Sequence, residues 1–169
     1  MNPNYFVTLA DLRKEHACYD GYNRVVRMLQ GEPFSDKDSE RQNYLKHSHN
    51  EPIPLVSIAR NNGIDDAVWA LRCVKDCERD ARLFAVWCAR QVEHLMTDQR
   101  SKYAMDVAER FANGRATAEE LAAAWAAAWA AAWDADWDAA WDAAGAAAWD
   151  AQLEMFARMC EGTAPWQQS

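Results

Sequence analysis

The chain has 169 residues, half of them apolar and about a quarter charged, a composition that belongs to globular proteins and excludes a disordered chain. Its 26 acidic against 18 basic groups leave a formal charge of −8, which argues against a direct nucleic-acid binder, since phosphate contacts need clustered Lys and Arg. The length suits one domain with a core that needs neither disulfide nor metal.

From the N-terminus, Thr8 followed by Asp11 reads as a helix start, with Leu9, Leu12 and His16 on one face. Ala17, Tyr22, Val25, Val26 and Leu29 give a second helical stripe, which Gly31 and Pro33 stop. Residues 32–54 are polar and aperiodic and are expected to form a mobile surface loop, with a transient helical turn near Arg41 to Leu45. This loop contains His47-Ser48-His49. Two histidines so spaced can share a metal, but no further ligand stands nearby, and they read as solvated loop residues.

Leu55 to Ala59 predicts a short helix ending at Asn61-Asn62-Gly63. Asp65 is placed as the cap of a helix through Trp69 and Leu71 to about Val74, and Asp76 as the cap of the next. Leu83, Val86, Trp87, Arg90 and His94 share a helical face. Asp98 caps a further helix through Tyr103, Met105, Val107 and Phe111, ended by Asn113-Gly114. His16 and His94 fall on apolar-periodic stretches and read as core or boundary residues. Cys73, Cys77, Cys88 and His94 match no common zinc spacing, and small buried cysteines are routine in helical cores. Five cysteines, an odd number, fit reduced thiols better than a disulfide framework. There is no Ser/His/Asp order, no Gly-rich phosphate loop and no paired carboxylates in an acid-base setting. No catalytic residue, cofactor or metal is therefore expected.

The last third differs from the rest. Residues 1–64 and 65–116 are each neutral, while residues 117–169 contain nine acidic groups and a single cation, Arg158. Thr117-Ala118-Glu119-Glu120 fits a capping box. After it, 19 of residues 117–151 are alanine, the strongest helix former. Set into them are Trp125, Trp129, Trp133, Trp137, Trp141 and Trp149, with Asp134, Asp138, Asp142 and Asp150 each one position after a tryptophan, and Asp136 between. Four residues turn a helix by about 400°, so successive indoles shift by about 40° and wind about 240° from Trp125 to Trp149. One helix over 118–161 would be roughly 65 Å long, against roughly 40 Å for a domain of this size. Projection, self-association or a bend follows, and Gly145 is the natural bend.

The expectation is an all-α single domain. It comprises a helical part over 1–64 with the mobile loop 32–54, central helices over 65–116, and a long Ala-Trp helix over 117–162. The tryptophans have several uses open to them. They can fill an α-helical core, or anchor a partner protein. The aspartates, roughly 6 Å apart, can imitate a row of phosphates. Amphipathic Trp helices that lie on membranes are normally basic, and this one is acidic. The longest uncharged apolar run, Leu121 to Trp133, has 13 residues where a membrane span needs about 20. With no signal peptide at Met1-Asn2-Pro3-Asn4, a cytoplasmic protein is expected.

Two sets of segments carry a resemblance. Leu83-Phe84-Ala85-Val86-Trp87-Cys88-Ala89-Arg90, Val107-Ala108-Glu109-Arg110-Phe111-Ala112-Asn113-Gly114 and Thr117-Ala118-Glu119-Glu120-Leu121, running into the Ala-Trp stretch, resemble an alanine-rich helical family of tailed bacteriophages and bacteria. Members of that family are often labelled immunity proteins of toxin systems. The N-terminal segments Thr8-Leu9-Ala10-Asp11-Leu12-Arg13, Ala17-Cys18-Tyr19-Asp20-Gly21-Tyr22, Pro52-Ile53-Pro54-Leu55 and Asn62 to Arg72 look like its phage members. The resemblance implies tight binding to a partner protein and does not identify it; the chain departs from the family in its extended loop over 32–51 and in carrying Trp at nearly every fourth place of the repeat. Together with the helix, it gives the expectation of a non-catalytic, immunity-like or phage-encoded inhibitor in the host cytoplasm that occludes a toxin or host effector. The exposed members of Trp133, Trp137, Trp141 and Trp149 are expected to make the contact, with Asp134, Asp136, Asp138, Asp142 and Asp150 steering a basic partner. A phage anti-defence protein mimicking nucleic acid, and a structural protein that self-associates through the long helix, stand as alternatives.

Overall fold

A computed structural model describes residues 5–133 and 141–168. The architecture is all-α and multi-helical, with a long C-terminal helix. It divides into two compact units, one of residues 5–77 with 156–162, the other of the described residues from 78 to 155 with 163–168.

In the first unit, α1 (Leu9–Lys14) begins at a complete capping box. The Asp11 amide donates to Thr8 Oγ1 at 3.1 Å, and the Thr8 amide donates back to the Asp11 carboxylate at 2.9 Å. The helix stops at Lys14, so His16 lies beyond it, exposed and at a positive φ of 60°. The core position expected for His16 assumed a helical period that had already ended. α2 (Tyr19–Gln30) starts at Cys18, whose sulfur accepts from the Gly21 amide, and ends at Gly31 in the left-handed conformation. Tyr22, Val25 and Val26 are buried on its inner face. An added Cβ at Gly21 would stand 2.8 Å from an Asp66 carboxylate oxygen, so a side chain there would displace Asp66 from its bond with Asn62.

Residues 32–54 are anchored at several points. The helical turn lies at α3 (Asp36–Ser39), upstream of the expected Arg41 to Leu45. The side chain of Asn23, fully buried, accepts from the Leu45 amide at 2.8 Å and donates to the Asn43 carbonyl at 3.1 Å. Tyr44 Oη donates to the Ala17 carbonyl. A two-residue antiparallel pairing then joins β1 (Phe6–Val7) to β2 (Ile53–Pro54), Phe6 opposite Pro54 and Val7 opposite Ile53. Strands this short have no room for the alternation by which a sequence announces them.

Asp38 holds this stretch to α2. It accepts from Arg27 Nη2 at 2.7 Å and from the Ser35 hydroxyl at 2.7 Å, and Arg27 also pairs with Glu32. Its side chain is almost wholly out of solvent. The Arg27 guanidinium, then the Ser35 bonds, hold its carboxyl well below the usual carboxylate range. A depressed folded-state pKa stabilises the fold above the unfolded value of about 3.9, and this is lost as pH falls below it. Asp38→Asn is expected to lower the urea midpoint at pH 7. The midpoint of the variant should also fall less than that of the wild type between pH 5 and pH 3.

α4 (Leu55–Asn62) ends at Gly63, as Asn61-Asn62-Gly63 predicts. α5 (Ile64–Ala70) begins at Gly63, with Asp65 in its first turn and not at its cap, and a 3-10 turn (Leu71–Cys73) continues it. α4 packs on α5 and on α2, burying Leu55, Ile58, Ile64 and Ala67. Phe156, Met159 and Cys160 complete this unit's buried set.

In the second unit, α6 (Glu78–Gln91) buries Leu83, Phe84 and Val86. Asp76 does not open it; it lies two residues earlier at a positive φ of 59°. His94 lies past the end of α6 in a 3-10 turn (Glu93–Leu95) and is exposed, so the shared face expected for it ends at Arg90. α7 (Gln99–Ala112) is capped by Asp98. The capping box at Thr117 is also complete, with the Glu120 amide on Thr117 Oγ1 and the Thr117 amide on the Glu120 carboxylate. It opens α8 (Ala118–Trp133), which packs along α7. α9 (Trp141–Glu161) is helical through Gly145 and stops at Gly162, φ 75°. A 3-10 turn (Pro165–Gln167) closes the chain, and its Gln167 side chain donates to Asp80.

Candidate functional site

The Ala-Trp segment is described at its two ends. On α8 the residue that turns inward is Ala124, while its neighbour Trp125 is 52% exposed. Alanine allows the α7 and α8 backbones to approach closely, and an indole at the same position would hold them apart. On α9, Trp149 is 50% exposed and Asp150 beside it is exposed. Nearly two turns further on, Met155 and Phe156 are buried. These two indoles are thus surface groups with half their area in water, which a tryptophan-filled core would not produce.

The other expected contact residues are placed less fully. Trp137, Asp134, Asp136 and Asp138 lie outside the described residues. Trp133 ends α8, and Trp141 and Asp142 begin α9; their side chains likewise lie outside what is described. Of the expected set, the structure thus locates the side chains of Trp149 and Asp150. Trp125 joins them as an exposed indole that the sequence reading placed in the spiral and not among the contacts.

Electrostatics separates this segment from the rest of the second unit. On α6 and α7, Arg90 gathers Asp106, Glu109 and Glu93 at 2.7, 3.0 and 3.1 Å, so acidic groups there are neutralised by a neighbour. Arg110 reaches Glu120 in the first turn of α8 at 3.1 Å. From residue 121 to the end of the chain the only cation is Arg158, against seven carboxylates.

The cysteines differ in burial and in the state of their thiols. Cys77 is buried, and its thiol lies 3.4 Å from the carbonyls of Leu71 and Val74. Burial pushes Cys73 and Cys88 up to about 11, and burial, with Glu161 and Cys77 nearby, pushes Cys160 up to about 12. Among the described residues no three His, Cys, Asp or Glu are grouped to hold a metal. Cys18 alone is exposed. A thiol reagent at pH 8 is expected to modify Cys18 quickly and Cys77 and Cys160 only on unfolding. Counting modified sites by mass before and after denaturation checks this.

Among the described residues no helix is long and apolar enough to cross a membrane. No family model matches the chain, and no curated protein or solved structure is similar to it.

Proposed function

We propose that the chain is a non-catalytic protein-binding protein, an immunity-like or phage-encoded inhibitor acting in the cytoplasm, which neutralises a toxin or host effector by covering it with its Ala-Trp segment. The single observation that carries the reading is the exposure of Trp125 and Trp149 on helices whose inward positions are taken by Ala124 and by Met155 and Phe156. A half-exposed indole costs solvation in the free chain and is repaid on docking, which is why tryptophan anchors dominate interfaces. The nearly uncompensated carboxylates of the same segment favour a basic partner, whose approach they accelerate. In this proposal further contacts come from Trp133, Trp137 and Trp141, with Asp134, Asp136, Asp138 and Asp142, and a bend near Gly145 would fit the segment to a curved partner. The phage and immunity assignment rests on the resemblance of the segments quoted above.

The test uses the full chain as bait against a host lysate, followed by reconstitution with the purified partner. The reading expects a stoichiometric complex that raised salt weakens and that Asp138→Lys with Asp142→Lys disrupts. A partner displaced by DNA or RNA at low salt would favour nucleic-acid mimicry. A mass that rises with concentration in light scattering, with no partner recovered, would favour self-association.

A further inference from the structure

The first unit contains an open cleft of about 580 Å³ whose lining includes Thr8, Arg13, Lys46, His47, Ser48 and His49. Among the described residues, every ionisable one lining it is basic. That bias stands out in a chain with an acidic excess, and in a 64-residue segment that is neutral as a whole. Asp11, on the same helix as Arg13, is engaged elsewhere: its carboxylate accepts from the amide and the hydroxyl of Thr8 at 2.9 and 2.7 Å.

Arg13 is held in place by the fold, and the backbone that carries Lys46, His47 and His49 is tethered. Arg13 Nη1 donates to the hydroxyl of buried Tyr22 at 2.6 Å, and the guanidinium lies 5.6 Å from the centroid of that ring. This fixes one arm of the fork and leaves further N–H donors for a ligand. Residues 46–50 are tethered on both sides, by the Tyr44 and Leu45 hydrogen bonds before them and by the Ile53–Pro54 pairing after them. Within them the His47 and His49 rings are nearly parallel, 13° apart with centroids at 6.2 Å. The loop that looked structureless in sequence is thus a braced segment presenting Lys46 and two imidazoles.

A planar guanidinium, an ammonium, two imidazoles and hydroxyl donors lining one cleft suit a tetrahedral oxyanion with more than one negative charge. The volume falls in the range of about 300–1,000 Å³ typical of small-ligand sites. We infer that this cleft binds a small phosphate-bearing anion through Arg13, Lys46, His47 and His49.

Calorimetric titration of the full chain with inorganic pyrophosphate, and separately with ADP, tests the site at low salt. Saturable binding is expected for both, weakened about tenfold or more by Lys46→Ala and by the double change His47→Gln with His49→Gln. Lys102→Ala, in the second unit, should leave it unchanged. Equal affinities for the two probes mean that the phosphates alone are recognised. A clear preference for ADP means that the nucleoside also occupies the cleft. Because Arg13 braces Tyr22, Arg13→Lys is read beside a thermal melt, whereas Lys46 is exposed and its variant keeps the fold. Absence of heat with both probes, or affinities unchanged in the Lys46 and histidine variants, would overturn the inference.

Discussion

Replacing Phe156 with alanine is expected to lower the unfolding free energy by about 3–5 kcal/mol, the range for deleting a fully buried aromatic side chain. Phe156 has no solvent exposure, and neither does Met159 one turn later. Both come from the end of α9 yet belong with residues 5–77, more than 75 residues earlier in sequence. The size of the effect follows from two contributions. The apolar surface is lost from the core, and the cavity left behind can collapse only as far as its neighbours allow. Cys160, one turn on along α9, and Cys77 are buried in the same unit, and both are small side chains with little reach. Phe156→Leu, which keeps more of the volume, should cost markedly less. Urea denaturation followed by tryptophan fluorescence and by circular dichroism measures both variants. A loss below about 1 kcal/mol for Phe156→Ala would mean that the C-terminal turns are not part of this core.

The elements that sequence made legible are those with local chemical signals. Thr8 with Asp11 and Thr117 with Glu120 announce capping boxes by residue type and spacing, and both are formed. Gly31, Gly63 and Gly114 end helices where their positive φ is needed. What sequence obscured depends on distant partners. Asn23 stands in an apolar stripe and pins Leu45, 22 residues away; a polar side chain among Tyr22, Val25 and Val26 was the available signal. Asp38 looks like one more charge in a charged loop until Arg27 is placed beside it. The errors at His16 and His94 share a cause, since each was assigned to a helical face that terminates before reaching it. The two described ends of the Ala-Trp segment were legible as helix but not in their facing, and the expected continuity between them falls on residues 134–140, outside the described residues. Alanine and tryptophan are both apolar, so the pattern carries no inside and outside. Close packing of α8 on α7 decides it, in favour of Ala124.

That facing sets the second large effect. Trp149→Ala should reduce affinity for the proposed protein partner by about 2 kcal/mol, roughly thirtyfold, the scale of an interfacial hot spot. The folded chain should lose much less, because half of the indole is already in water. The ratio of the two losses is the diagnostic quantity. An anchor loses binding with stability kept; a packing residue loses stability, and any loss of binding follows from unfolding. Trp125→Ala supplies the comparison on α8, where the indole is equally exposed and its neighbour Ala124 is the buried residue. Asp150→Lys separates steering from docking. Reversing an exposed charge at the rim should slow association and flatten its salt dependence, with a smaller effect on dissociation, whereas removing the Trp149 indole should act chiefly on dissociation. Surface plasmon resonance at two salt concentrations resolves the rates. If both Trp149→Ala and Trp125→Ala bind as the wild type does, exposure of these indoles has another cause and the docking surface lies elsewhere.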